Sequence, residues 1–257
     1  MKKTLIALAV ATSAVVSGSA MAWTAGGNGG SVEIGGTLTP ETVVLPWEVK
    51  TGSNIADLNA KIKKGQSEVD IVASKAIPVL GIRTIESTFQ GQPGISPRIN
   101  FGGAINAKDF SQSVTTLTLD VISGDNKIGK MQVPFFAGAM ISKTGTKFSK
   151  LWSAYATGTD RSFFGGLPTS ADATSDSVAE RIAAVFPESI DKFDNQGITE
   201  SAGVGNSDFF SDSNYIYSAF YGSGIEKDQT IKITLDSPAE SDAITWKASL
   251  PVVVSYQ

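Results

Sequence analysis

Few side chains in this 257-residue chain can do covalent chemistry. It has no His and no Cys. That excludes thiolate nucleophiles, Ser-His-Asp and Cys-His catalysis, and ordinary zinc sites. Carboxylates remain, and a glycosidase would need two of them flanking one sugar bond. Asp191 and Asp194 are the kind of residue such a pair would use, but nothing in the spacing marks any two acids as partners. Solvated loop positions are the plainer reading. Neither a glycine-rich phosphate loop nor a calcium-loop pattern is present. The chain is therefore expected to have no catalytic residue, no metal site and no cofactor.

What does concentrate is aromatic and cationic character. Lys147, Lys150, Trp152, Tyr155, Asp160, Arg161, Phe163 and Phe164 fall within about twenty residues. Sugar sites stack an aromatic ring on the apolar face of a pyranose and meet its hydroxyls with polar groups. Lys147, Lys150, Trp152, Tyr155, Arg161 and Phe163 are accordingly the candidate glycan-binding residues. The competing reading makes Trp152, Phe163 and Phe164 core anchors.

The elements that must position these residues read as strands. Residues 1–22 have the form of a secretory signal peptide. Lys2 and Lys3 precede an apolar stretch from Leu5 to Val16, and Ala20-Met21-Ala22 is a small-x-small cleavage site. The expected mature start is Trp23. The leader carries two Lys and no acid, so its removal makes the net charge of −4 more negative. Mild acidity argues against nucleic acid as a partner. Export normally gives access to disulfides, and this chain uses none.

A Gly-rich head, residues 23–31, is expected to be flexible. Val32, Ile34, Gly36 and Leu38 then alternate with Glu33, Gly35 and Thr37, a period of two. Thr115, Leu117, Leu119 and Val121 share one face of a strand. A turn at Gly124-Asp125-Asn126-Lys127 leads into a second strand from Ile128 to Ile141, which predicts a hairpin. Ile231, Ile233 and Leu235 share another face. The last run is the most regular: Trp246, Ala248, Leu250, Val252, Val254 and Tyr256 alternate with mostly polar neighbours. Pro251 lacks an amide donor and points to an edge position. One region departs from the β pattern. Ser177 and Glu180 read as a capping box before Val178, Ile182, Val185 and Phe186 at helical spacing. Residues 145–210 are therefore expected to be an insertion with one short helix, its apolar face packed on a sheet.

An open apolar edge templates pairing with another chain, and strand addition is an established recognition mode. The segment Val32 to Leu38 could be such a strand, or an ordinary first strand of its own sandwich. At this point the residues meet a known family. The mature start Ala22-Trp23-Thr24, the run Gly30 to Gly36, Trp47-Glu48-Val49-Lys50, Gly81 with Arg83-Thr84, Phe164-Gly165-Gly166-Leu167, Gln229-Thr230-Ile231 and the Trp246 to Tyr256 strand follow one another in order. Together they resemble the major subunits of chaperone–usher fimbriae, of the disulfide-free adhesive kind found in enterotoxigenic coliform bacteria. The resemblance runs nearly end to end. Two departures stand out: a Gly common in pilins fourteenth from the end is Ile244 here, and the disulfide of other pilin classes is missing.

The resemblance implies an all-β fold: an incomplete immunoglobulin-like sandwich completed by a donor strand, with a small inserted subdomain. It implies three parts: a signal peptide at 1–22, a donor extension at 23–39 and a pilin domain at 40–257. Val32, Ile34, Gly36 and Leu38 would be the donor positions. Trp246, Leu250, Val252, Val254 and Tyr256 would form the acceptor strand, met first by a periplasmic chaperone. The implied partners are identical subunits in a linear polymer, that chaperone, an outer-membrane usher and a galactose-containing host glycan. The implied place is a fimbrium outside the cell. Two other readings compete. A monomeric secreted carbohydrate-binding lectin would complete its fold with its own N-terminal strand. An outer-membrane β-barrel would need many alternating segments of about ten residues, and only six or seven strands, several short, are legible.

Overall fold

A computed structural model describes residue 25 and residues 31–39, 43–240 and 242–257. The leader expected at 1–22 lies outside them. The chain divides into two units, Met1–Glu41 and Thr42–Gln257. In the first, residues 31–39 have no strand partner, and Val32, Ile34 and Leu38 are 86%, 96% and 97% exposed.

The second unit is built around one long strand. β6 (Val114–Ser123) and β7 (Asn126–Gly145) form the expected hairpin. Leu117, Leu119 and Val121 are buried along one face of β6, as their period of two requires. β7 continues to Gly145, past the expected end at Ile141, and its two halves have different neighbours. The first half lies between β6 and β11 (Thr230–Leu235); the second lies between β8 (Phe148–Tyr155) and β10 (Ile216–Ile225). β11 carries the sheet on to β2 (Glu68–Val72), and β10 carries it to β3 (Ile77–Thr84) and then β1 (Trp47–Thr51). β4 (Phe89–Gln90) also pairs with β10, and β9 (Val204–Asn206) adds to β8 as a parallel strand. The result is an all-β sandwich of the immunoglobulin-like kind. A separate pair joins β5 (Pro97–Asn100) to the last strand, β12 (Val253–Tyr256).

In the second half of β7 and in β10 both faces of the sheet are covered. Phe135, Ala137, Ala139 and Ile141, with Tyr217, Ala219 and Tyr221, face the main core. On the other face lies α1 (Val178–Val185), the one α-helix among the described residues. Its buried side chains Val178, Ile182 and Val185 pack with Phe136 and Phe220, as their helical spacing predicts. Three glycines make room for it. Gly222 is paired across the sheet with Gly138 on one side and Gly81 on the other. A Cβ at Gly138 would lie 2.9 Å from Val178, and one at Gly222 would lie 2.4 Å from Ile182. One at Gly81 would lie 2.5 Å from the Ser189 hydroxyl. The helix thus lies in a trough of three side-chain-free positions, with contacts advancing along it.

The capping box is corrected by the structure. Ser177 stands at the N-cap, but its φ of −98° and ψ of 33° depart from the extended geometry that aims a capping hydroxyl, and it makes no cap bond. Its Oγ lies 3.1 Å from Ser175 Oγ instead.

Replacing Gly222 by Val would push Ile182 out of the trough. Overpacking of this kind costs about 1–3 kcal/mol. A lower urea midpoint, with new protease cleavage near 178–190, is the expected outcome; an unchanged midpoint would remove the trough as the anchor of the helix.

Candidate functional site

Among the described residues, one side of the sandwich is open. A cleft of about 1340 Å³ opens there. Its floor is apolar: Leu117, Leu119 and Val121 from β6, Met131 from β7, and Ile231 and Ile233 from β11. One wall is the stretch 246–252, in which Trp246, Ala248, Leu250 and Val252 are half-buried while Lys247, Ser249 and Pro251 are exposed. The alternation of the expected last strand survives, yet only residues 253–256 are paired as a strand. A second wall is residues 54–62, where Leu58 and Ile62 are half-buried.

Among the described residues, both walls leave most of their backbone groups unpaired. Lys247 exchanges two hydrogen bonds with Ile122, and among the described residues 248–252 make no further backbone–backbone bond. Across 53–62 there is one, from Asn59 N–H to the Asp57 carbonyl. Backbone donors and acceptors are normally paired when buried. Two largely unpaired stretches beside an apolar floor thus leave an open slot. Chemically the slot offers hydrophobic burial and backbone hydrogen bonds.

The slot and the segment 32–38 match in length and period. Val32 to Leu38 and Trp246 to Val252 each cover seven residues, roughly 20 Å if fully extended. Each presents a residue to one side at four alternate positions.

The structure sorts the acceptor residues expected from sequence. Trp246, Leu250 and Val252 line the cleft. Val254 and Tyr256 lie beyond it, paired with Ile99 and Pro97 of β5. Tyr256 is half-buried, and that burial raises the pKa of its phenol. Ile244, in the place of the pilin glycine, lines the cleft. Residues 54–62 had no sequence signal strong enough to mark them as a wall. In hindsight Leu58, Ala60 and Ile62 alternate there.

The candidate glycan-binding residues are treated less kindly. Trp152 is 3% exposed and Phe163 is fully buried. Neither ring has a face free for a sugar. Trp152 donates its indole N–H to the Asn206 carbonyl at 3.1 Å, and Phe163 stacks on Tyr221 with centroids 5.8 Å apart. They are core anchors. Phe163 also holds a φ of 61°, a strained backbone for a non-glycine residue. Lys150 lies over Trp152 at 5.0 Å. Arg161 stacks on Phe209 at 4.1 Å and donates to the Ser207 carbonyl. Lys147 is exposed in the β7–β8 turn and Tyr155 is half-buried at the end of β8. None of the six lines the large cleft.

Comparison with known proteins is consistent across the whole chain. Residues 1–257 match the family Fimbrial K88, described as fimbrial, major and minor subunit. The chain is 30% identical to K88 fimbrial protein AB and 30% identical to K88 fimbrial protein AC, both of Escherichia coli. It is 28% identical to the F41 fimbrial protein of the same organism. Each alignment covers all of both chains.

Burial of Trp152 and Phe163 predicts a stability phenotype. Trp152→Ala and Phe163→Ala each cost about 3–5 kcal/mol in urea unfolding. Lys147→Ala stays within about 0.5 kcal/mol. Equal midpoints for all three proteins would contradict this placement.

Proposed function

Because the chain belongs to the K88 family of major and minor fimbrial subunits, we propose that it is a major subunit assembled by donor-strand exchange. Residues 23–39 form the donor extension, and the segment around Val32, Ile34, Gly36 and Leu38 of one copy enters the open cleft of the next. The observation that carries this reading is the pair of unpaired walls over an apolar floor, in a chain whose alternating segment of equal length is itself fully exposed.

Three apolar side chains would leave water on insertion. At roughly 1.5–3 kcal/mol for each fully buried side chain, that contribution is large beside the 5–15 kcal/mol stability typical of a domain. Gly36 has no side chain and allows close approach of the backbone at that position. The contact is heterologous, donor surface to acceptor surface, and such a contact propagates a filament when it does not close into a ring.

Before assembly the same cleft has to be shielded, because an exposed apolar strand edge aggregates. A periplasmic chaperone fills that role, and an outer-membrane usher exchanges it for the incoming donor segment. The filament stands on the cell surface and its subunits bind a host glycan, making this subunit an adhesin as well as a building block. In the lectin alternative, Val32, Ile34 and Leu38 would be buried in their own sandwich; their 86–97% exposure favours the donor role.

Deleting residues 23–39 leaves a subunit that is recovered with the chaperone and forms no filament by electron microscopy. Filaments built from the truncated chain would sink donor-strand exchange. Tyr256→Ser lowers the yield of chaperone-bound subunit in the periplasm, and an undiminished yield would take Tyr256 out of chaperone recognition.

A further inference from the structure

The floor of the large cleft is already dry before anything enters it. Val121 and Ile231 are 0% exposed, Leu117 is 2% and Ile233 is 3%. An added strand therefore meets whatever covers these side chains before it meets the floor. Two stretches outside the sheet supply cleft-lining side chains packed against this core. One is the 246–252 wall, with Trp246, Ala248, Leu250 and Val252. The other is the second wall, with Leu58.

The two are held differently. In the first, Lys247 exchanges bonds of 2.8 and 2.9 Å with Ile122, and β12, paired with β5, follows directly. Residues 53–62 are tied only beyond their ends. Gly52 donates its N–H to the Val79 carbonyl at 3.0 Å, and Gly65 donates its N–H to the Ala239 carbonyl at 2.8 Å. Within 53–62 the backbone makes the local Asn59–Asp57 bond and no other among the described residues. Asp57 and Lys61 are exposed and enter no ion pair among the described residues. What holds the stretch down is the half-burial of Leu58 and Ile62. Segments with few buried contacts and a solvated backbone open locally while the rest of a domain stays folded. Both end positions demand glycine. A Cβ at Gly52 would collide with the Pro78 carbonyl, and Gly65 holds a φ of 86°. Hinges are a few loop residues that absorb such a backbone change.

We propose that residues 53–62 are a strap that covers the apolar floor of the unfilled subunit and swings out about Gly52 and Gly65 to admit an added strand. The proposal rests on the donor-strand reading above. Leu58 and Ile62 stand in for the incoming apolar side chains until these arrive, which keeps the floor from water and from unwanted strand partners. Their hold sets how fast a strand enters. The 246–252 wall stays in place and offers the fixed edge.

Uptake of a labelled peptide of residues 30–39 by the mature full-length subunit, followed against time, tests it. Leu58→Ser and Ile62→Ser are each expected to speed uptake at least threefold. Lys61→Ser changes an exposed neighbour and leaves the rate as it was. Ile182→Ala loosens the helix on the opposite face of the sheet and also leaves the rate as it was. Acceleration in neither strap variant overturns the strap, and slower uptake in both makes residues 53–62 a required partner of the added strand instead of its gate. Equal acceleration by Ile182→Ala reduces the effect to general loosening and overturns the strap as well. Unsubstituted subunit that takes up no peptide overturns the donor-strand reading itself.

Discussion

An apolar floor without its last strand is the constraint on which this molecule turns. Leu117, Leu119, Val121, Ile231 and Ile233 are packed from one side by the sandwich and line on the other a cleft whose walls have idle backbone groups. An isolated domain in this state forgoes the full burial of those walls and a set of strand hydrogen bonds. Secreted domains often make good such losses with disulfides, and this chain has no Cys. The donor-strand proposal has a neighbouring chain supply the missing stability. In that proposal the same deficit drives assembly, and because donor and acceptor would be different parts of the chain, each completed subunit would still have a donor segment to give or a cleft to fill.

Away from the cleft the fold is arranged so that the insertion does not disturb the sandwich. β7 runs 20 residues and belongs to both halves of the sheet. Its first half floors the cleft and its second carries the helix on the opposite face. Glycines at 81, 138 and 222 lie side by side across three strands and leave the space that Val178, Ile182 and the 187–190 turn occupy. The insertion is therefore held close to the sheet, and its end meets the edge strand β1, where Lys50 pairs with Glu188.

How much of this could be read from the residues depends on how many faces of a strand are solvated. β6 and β11 have one buried face, so Leu117, Leu119, Val121, Ile231 and Ile233 announce themselves by alternation. β10 is buried on both, and Ile216 to Ile225 reads Ile-Tyr-Ser-Ala-Phe-Tyr-Gly-Ser-Gly-Ile with no period. Gly138 and Gly222, which look like breakers in a strand, are there because a helix needs the space. Trp152 and Phe163 have the composition of a sugar platform and the positions of core residues, a distinction that only burial makes. The contact between β1 and the 187–190 turn was illegible for a different reason. It brings together residues near 48, 83 and 188, whose proximity comes from strand pairing and the docking of the insertion and leaves no local pattern. The last strand was legible as an alternation, but its lack of a partner over 248–252 is a fact of tertiary structure.

The absence of Cys makes the central claim directly measurable. Filaments can be built from subunits carrying Ile34→Cys together with a second cysteine at Leu119, Ile233 or Val252, and oxidised before denaturing electrophoresis. Entry of one subunit's segment into its neighbour's cleft predicts that at least one of the three pairs gives a ladder of covalent multimers. A disulfide closed within single chains, or no disulfide from any of the three pairs, would contradict it.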